Sequence, residues 1–201
     1  TRRLHPNIKH FTSEVFYENR LDSLSGLDNQ ALHGNTQFRG AGLFYVPVNH
    51  KGKQNKSIEE VVVVEKIVSS LTANGEWTSA AGQRKRITLE NILIVAPYNA
   101  QVAAIAERLP GYRIGTVDKF QGQEAAVVIY SMTSSSPQDA PRGMSFLYNP
   151  NRLNVATSRA QCICIVVASE KLLEADCRTI EQMRWINALC RYKELATTIT
   201  I

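Results

Sequence analysis

The chain has 201 residues, a net charge of +5 and a pI near 9.1. This length can bury one sizeable hydrophobic core, and the mild basicity permits nucleic acid as a partner without requiring it. The sequence shows no apolar run of membrane-spanning length, no signal peptide and no disulfide framework, so we expect no membrane association and a reduced, cytoplasmic protein. Because the chain lacks an initiator Met, we expect it to be a piece of a larger protein.

The first half of the chain is predicted to contain two helices and one strand. Apolar residues at helical spacing predict a helix over 5–19, and the polar residues 20–42 predict a long irregular connection before a strand at 43–48. Ser57 followed by Glu60 is the pattern of a capping box. The apolar stripe after it predicts a helix to Leu71, although the β-branched run 61–64 also fits a strand. Residues 74–86 are predicted to form a polar turn region.

The second half alternates apolar runs with helical patterns. Strands are predicted at 92–96, 113–117, 125–133 and 162–168, and helices at 100–109 and 150–160, with one or two further helices in 171–195. Residues 134–143 are predicted to form a polar loop. Apolar strands that alternate with helices are typical of a largely parallel sheet covered on both faces. The sequence therefore predicts a single α/β domain over 1–201.

The four cysteines are Cys162, Cys164, Cys177 and Cys190. Cys162 and Cys164 lie in an apolar run, where strand alternation would direct both side chains to one face of the sheet. We interpret them as buried small hydrophobic residues, because no second closely spaced cysteine pair and no histidine pair completes a zinc site.

The stretch 116–124, T-V-D-K-F-Q-G-Q-E, lies between two predicted strands. The hydroxyl of Thr116 could donate to a phosphate, and Gly122 would let a backbone N–H approach an anion that a side chain would exclude. The carboxylate of Glu124 suits sugar hydroxyls better than phosphates. Taken alone, the stretch fits a capped turn with a solvated Glu equally well.

Arginines form the second group of candidates. On a helix over 150–160, Arg152, Val155, Ala156 and Arg159 would share one face, and two arginines beside small residues suit a phosphate or an interface. A helix with ordinary surface arginines remains the alternative. Arg2 and Arg3, ahead of the first helix, could likewise reach an anion or belong to a ragged terminus.

Several catalytic signatures are missing from the sequence. There is no G-x-x-x-x-G-K-[ST] loop, since the pair Gly52-Lys53 is followed by Gln54, and no acidic pair ends a strand in the Walker B manner. No Ser-His-Asp or Cys-His nucleophile set is present. The chain therefore cannot hold a Mg²⁺-nucleotide by itself in the P-loop manner.

Four motifs, in order, resemble the second RecA-like domain of superfamily 1 helicases of the Upf1-like/DNA2-like branch. R-R-L-H-P at 2–6 is similar to the Y-R-M-H-P motif of that branch, and V-A-P-Y-N-A-Q at 95–101 is similar to its P-Y-x-x-Q element. The stretch 116–124 resembles motif V, and N-R-L-N-V-A-T-S-R-A at 151–160 resembles motif VI. The resemblance covers nearly the whole chain and implies a three-layer RecA-like sandwich with about five or six strands.

The resemblance also implies roles for individual residues. ATP would lie between two RecA-like domains, with Mg²⁺ and the P-loop on the preceding domain and arginine fingers supplied by Arg3 and Arg159. Gly122 and Glu124 would face the nucleotide, with Glu124 near the ribose. Single-stranded DNA or RNA would contact residues at two strand ends: Thr116, Pro97, Tyr98 and Asn99. A role for Gln101 stays open between a backbone contact and a structural one, and the serines 134–136 are a weaker candidate for contact.

Two positions depart from the family pattern. Arg2 stands where the family often has an aromatic residue, and Gln161 stands where another arginine is common. The resemblance implies an ATP-dependent helicase or translocase of 5′→3′ polarity, of which this fragment alone would be inactive. The alternative is a non-catalytic α/β module that binds nucleic acid and has lost its motor role.

Overall fold

A computed structural model of the chain describes residues 1–120 and 122–201. Gln121, inside the stretch 116–124, lies outside the described residues. The helices and strands of the described part are, in chain order, α1 (Pro6–Phe16), β1 (Ala31–Gly34), β2 (Gly42–Pro47), α2 (Ile58–Asn74), β3 (Gly75–Thr78), β4 (Arg84–Arg86), β5 (Ile92–Val95), α3 (Asn99–Arg108), β6 (Arg113–Gly115), β7 (Ala125–Ser131), α4 (Met144–Leu147), α5 (Pro150–Ser158), β8 (Ala160–Ala168), α6 (Ile180–Leu195) and β9 (Thr197–Thr198). Short 3₁₀ turns lie between several of them.

The main sheet has six strands in the order β6-β5-β7-β8-β2-β9, and every pair in it is parallel. Helices α1, α5 and α6 pack on one face, where their apolar side chains meet those of Tyr45, Val128 and Val166. Helices α2 and α3 cover the other face against Val46, Ile94 and other strand residues. Burial on both faces explains why β5, β7 and β8 are almost wholly apolar. This arrangement confirms the predicted three-layer α/β, RecA-like fold.

A second, three-stranded antiparallel sheet is formed by β1, β3 and β4. The sequence predictions for 20–42 and 74–86 are therefore wrong in part, because each region contains strand. The two regions pair with each other, and their strands are short and polar: β4 is Arg84–Arg86, with all three residues exposed. Such a strand has no apolar alternation by which a sequence pattern could reveal it.

Helix boundaries differ by a few residues from those predicted. Helix α1 ends at Phe16 rather than at 19, since Glu18 and Asn19 adopt positive φ angles of 51° and 60°. The side chain of His5 accepts a hydrogen bond from the Asn7 N–H and caps this helix. Helix α2 is a helix, as the capping pattern predicted, and Ser57 accepts a hydrogen bond from the Glu60 N–H.

The side chain of Glu60 does not complete the predicted capping box. The backbone N–H of Ser57 donates to Gln101 Oε1 instead, at 2.8 Å. The Glu60 carboxyl group is fully buried and takes part in a polar cluster at the end of β7.

The prediction that Cys162 and Cys164 face the same side of the sheet is wrong. The pairing of β7 with β8 shifts register between Ala125 and Val127, which marks a β-bulge. Beyond it, Cys162 packs with the α2–α3 face and Cys164 with the α1–α5–α6 face. Both thiols are buried, as predicted, and burial raises the pKa of each to about 12.

Candidate nucleotide and nucleic-acid sites

A cleft of about 420 Å³ lies at the carboxyl ends of β5 and β6. Ligands of open α/β sheets bind outside the carboxyl ends of their strands. The cleft is lined by all four residues that the resemblance assigns to nucleic acid, namely Pro97, Tyr98 and Asn99 after β5 and Thr116 after β6. The fold thus brings together side chains from two separate motifs.

The cleft is also lined by five further polar, charged or aromatic residues: Asn55, Asp118, Arg142, Phe146 and Arg152. The Phe146 ring packs 5.5 Å from that of Tyr98, measured between centroids. Of these five residues, sequence reasoning had singled out only Arg152. Arg142 and Phe146 come from a polar stretch without periodicity, and such a pattern does not distinguish the wall of a cleft from a solvated loop.

The side chain of Tyr98 is packed into the protein at the cleft. Its side chain is buried, and burial raises the pKa of its hydroxyl. The Ser134 hydroxyl lies 3.4 Å from the Tyr98 oxygen and 2.7 Å from the Gln54 carbonyl. Ser134 and Ser135 are both buried and bonded inside the protein, so the weaker expectation that these serines contact nucleic acid is not supported.

Gln101 has a structural role. Its side chain is fully buried and donates to the Ser57 carbonyl at 3.2 Å and to the Ser131 hydroxyl at 3.0 Å. Its carbonyl oxygen accepts from the Ser57 N–H. These bonds join the start of α2 to the end of β7. Of the two roles that the sequence left open for Gln101, they favour the structural one over a backbone contact.

Arg3, Glu124 and Arg159 meet at the opposite edge of the sheet. Glu124 directly precedes β7 and Arg159 directly precedes β8, so both lie at the amino ends of these parallel strands. Arg3 donates from Nε to the Glu124 carboxylate and from Nη1 to the Ser158 carbonyl, the latter at 3.0 Å. Gln161 donates to the other Glu124 oxygen at 2.8 Å. Gln161, which departs from the family pattern, thus helps to fix Glu124.

Two cations lie close together in this group. Arg159 donates from Nε to the Phe120 carbonyl at 3.2 Å. Burial lowers the pKa of Arg159, and the nearby charge of Arg3 lowers it further. This arrangement favours the binding of an added anion. The anion would offset the desolvation of the Arg159 guanidinium and its repulsion by the second cation.

Gly122 lies on the chain between the two sites. Its φ of +82° is in the left-handed region, and, apart from Gly122 and its chain neighbours, no atom of the described residues lies within 4 Å of the position that a Cβ would occupy. The glycine is therefore required by its backbone conformation rather than by close packing. The space around it leaves room for a ligand.

Arg152 and Arg159 belong to different sites, although they were predicted to share a helix face. Helix α5 ends at Ser158, and Arg159 turns towards Phe120 while Arg152 lines the cleft. Arg2 is exposed. Within 1–120 and 122–201, no group of His, Cys, Asp and Glu side chains could hold a metal ion. In the same residues, no helix is long and apolar enough to cross a bilayer.

Comparison with known proteins identifies a family. A family model described as an AAA domain matches residues 1–171. The chain is 29% identical over 192 residues to "Probable helicase MAGATAMA 3" of Arabidopsis thaliana, covering 87% of this chain and 22% of that protein. It is 28% identical over 193 residues to "Helicase sen1" of Schizosaccharomyces pombe, covering 87% of this chain and 11% of the relative.

A third relative is "Regulator of nonsense transcripts 1 homolog" of Arabidopsis thaliana, which is 27% identical over 212 residues. That match covers 96% of this chain and 15% of the relative. The chain therefore spans less than a quarter of the length of each of these three relatives, between 11% and 22%.

Proposed function

The chain belongs to the AAA domain family, as a domain of the Upf1-like branch of superfamily 1 helicases, and we propose that it is the second motor domain of an ATP-dependent nucleic-acid helicase or translocase. In this role it binds single-stranded DNA or RNA in the cleft beside Thr116. It also supplies Arg3 and Arg159 to ATP held by a preceding RecA-like domain. The polarity that the family resemblance implies is 5′→3′.

One observation carries the proposal: the two sets of candidate residues form two sites at opposite edges of one sheet. Pro97, Tyr98, Asn99 and Thr116 line the cleft at the carboxyl edge, and Arg3, Glu124 and Arg159 meet at the amino edge. A motor domain must contact its nucleic acid and its ATP at the same time. The stretch 116–124 joins the two edges, so a change at one can alter the other.

The chemistry assigned to this chain is electrostatic. Phosphoryl transfer depends mainly on positioning and on charge stabilisation at the transferring group, and an arginine supplied in trans to the P-loop serves that purpose. ATP and Mg²⁺ fit this chain only in part. The two arginines suit the γ-phosphate, whereas Mg²⁺ needs oxygen ligands from the preceding domain. Glu124, bonded to Arg3, orients that guanidinium and is available to a ribose hydroxyl.

The proposal is tested by ATP hydrolysis of the full-length protein carrying Arg159→Ala, with and without single-stranded nucleic acid. Loss of an arginine finger lowers turnover by about 10³–10⁵-fold, so stimulated hydrolysis should fall by orders of magnitude while oligonucleotide binding persists. Arg86→Ala, on the exposed strand β4, is the matched control. Stimulated turnover retained by Arg159→Ala would remove the finger assignment.

A non-catalytic module that only binds nucleic acid is the competing function. The meeting of Arg3, Glu124 and Arg159 favours the motor, since a module that only binds needs no second cationic site. The sequence that precedes Thr1 separates the two functions. A G-x-x-x-x-G-K-[ST] loop there decides for the motor.

A further inference from the structure

The cleft that Thr116 lines also carries two arginines that stack on one aromatic ring. The guanidinium carbon of Arg142 lies 3.9 Å from the centre of the Phe146 ring, and that of Arg152 lies 4.0 Å from the same centre. Stacking on a ring engages the flat face of a guanidinium and leaves its N–H edge available. Phe146 therefore holds two cations in fixed positions at the mouth of the cleft.

These two guanidinium groups have few partners. Each carries five N–H donors, yet neither donates a hydrogen bond to a side chain or carbonyl within 1–120 and 122–201. Arg142 forms no ion pair in that part of the chain. Arg152 has one, with Asp118, at 3.9 Å between Nη2 and Oδ2, which is too long for a hydrogen bond. Two cations with free donors on one aromatic ring favour the binding of anions beside it.

We infer that Arg142 and Arg152 bind phosphodiester groups of the nucleic-acid strand in this cleft, with Phe146 positioning both arginines. Arg–phosphate contacts are frequently bidentate, and the planar fork of each arginine suits the phosphate oxygens. Thr116 and Asn99 line the same cleft and can contact the backbone beside those phosphates. The inference rests on the proposed function, because it adds contacts to the same strand.

Among the described residues, Asp118 is the one acidic residue that lines the cleft, and it opposes this binding. Its side chain is 83% exposed, whereas that of Arg152 is 18% exposed. The carboxylate can therefore turn towards solvent when a phosphate arrives, although some repulsion remains. Removing the charge of Asp118 should strengthen the binding of nucleic acid, whereas removing the charge of an arginine should weaken it.

The test uses the full-length protein without nucleotide and labelled oligo(dT) and oligo(U). Fluorescence anisotropy gives the affinity for each between about 50 and 200 mM salt, a range over which phosphate contacts weaken strongly. Arg142→Gln should lower affinity by about three- to tenfold and reduce the salt slope by about 0.7, the value for one phosphate contact to a single strand. Arg142→Lys should recover part of the loss, because it keeps the charge but not the fork.

Two further variants separate a positioned site from simple charge. Phe146→Leu leaves the charge unchanged, so weaker binding by it shows that stacking positions the arginines. Asp118→Asn should bind more tightly than the wild type. Arg86→Gln, on β4 at the far side of the molecule from the cleft, removes the same charge as Arg142→Gln and should leave affinity nearly unchanged.

The outcomes distinguish this inference from the proposed function. Unchanged affinity and slope for Arg142→Gln, with weaker binding by Thr116→Val, would overturn the phosphate site and leave the proposed function standing. Failure of the wild type to bind either oligonucleotide would overturn both. A loss confined to oligo(dT) or to oligo(U) supports the site and identifies which strand it serves.

Discussion

Glu124 holds Arg3, one of the two arginines that we propose act on ATP. One carboxylate oxygen accepts from Arg3 and the other accepts from Gln161, so the side chain is fixed at both ends. Arg3 is further held by the Ser158 carbonyl, next to Arg159. In the proposed function, Glu124 acts on the nucleotide in two ways, through its own carboxylate and through the orientation of Arg3. A substitution there should impair nucleotide use even where the ribose contributes little.

We predict that Glu124→Gln and Thr116→Val fail differently in the full-length protein. Glu124→Gln weakens the charge-assisted bond to Arg3, and because such bonds contribute about 1.5–3 kcal/mol, ATP turnover should fall about tenfold or more. Oligonucleotide affinity should stay close to that of the wild type. Thr116→Val removes a hydroxyl from the cleft, so it should weaken oligonucleotide binding and lower only the stimulated component of hydrolysis.

Steady-state ATPase assays and anisotropy titrations on the same preparations measure both effects. Gln123→Ala, at the exposed neighbour of Glu124, serves as the control for the first variant. If both variants kept wild-type turnover and affinity, the assignment of two sites to the ends of 116–124 would be wrong.

At the scale of elements, a buried polar cluster joins α2, β7 and the loop before α2. Glu60 Oε2 accepts from the Ser131 hydroxyl at 2.5 Å and from the Thr133 N–H at 2.8 Å, while Oε1 lies 3.0 Å from His50 Nε2. Thr133 has a φ of 74°, a strained value for a β-branched residue. The bond from its N–H to Glu60 helps to hold that conformation, and His50 continues the cluster to Ser135 at 2.7 Å.

We predict that Glu60→Ala strongly destabilises the domain. It leaves a hydroxyl, a backbone N–H and an imidazole buried without their partner, and removal of one member of a buried polar pair costs about 3–5 kcal/mol. For a domain of this size, each kcal/mol lowers the melting temperature by roughly 2–4 °C. Differential scanning calorimetry should therefore record a decrease of about 10 °C.

Glu59→Ala is the matched control for this prediction. Glu59 occupies the same first turn of α2, but it is partly exposed and pairs with Lys53 at the surface. Exposed ion pairs contribute about 0–1 kcal/mol, so its melting temperature should change little. Equal effects of the two substitutions would contradict the importance given to the buried cluster.

The elements that sequence patterns predicted well are those whose burial is complete. The apolar runs of β5, β7 and β8 indicate strands that are buried on both faces, and the amphipathic stripe of α2 indicates a helix with one buried face. Strands β1, β3 and β4 were missed, since their pairing joins distant segments and Arg84–Arg86 shows no apolar alternation. The bulge in β8 and the redirection of Glu60 depend likewise on partners far along the chain.

The candidate sites were predictable to a similar degree. Motif residues could be assigned by resemblance, and the fold brought Pro97, Tyr98, Asn99 and Thr116 into one cleft. Arg142 and Phe146 could not be found that way, because their significance comes from a side-chain contact between a loop residue and the short helix α4, which no sequence periodicity marks. Gln101 and Ser134 show the converse. Their sequence context suggested contact with a ligand, but their side chains form hydrogen bonds within the protein.

At the scale of the whole molecule, the chain forms a self-contained core, whereas the proposed function has it share a nucleotide site with a second domain. Helices cover the main sheet on both faces, and apolar clusters fill both interfaces. The nucleotide-facing group, by contrast, consists of two arginines and one glutamate, with no P-loop in the sequence and no metal-binding cluster in 1–120 and 122–201. We therefore propose that folding and the binding of nucleic acid need only this chain, whereas hydrolysis needs a second domain.

We accordingly predict that the 201-residue chain, expressed alone, folds and binds oligonucleotides but does not hydrolyse ATP. Positioning of the γ-phosphate and Mg²⁺ supplies most of the rate enhancement in phosphoryl transfer, and arginine fingers without that positioning have no bound substrate to act on. Phosphate-release assays should detect hydrolysis by the full-length protein and none by the isolated chain, with circular dichroism showing that the chain is folded. ATP hydrolysis by the isolated chain that disappears with Arg159→Ala would contradict the claim that hydrolysis needs a second domain.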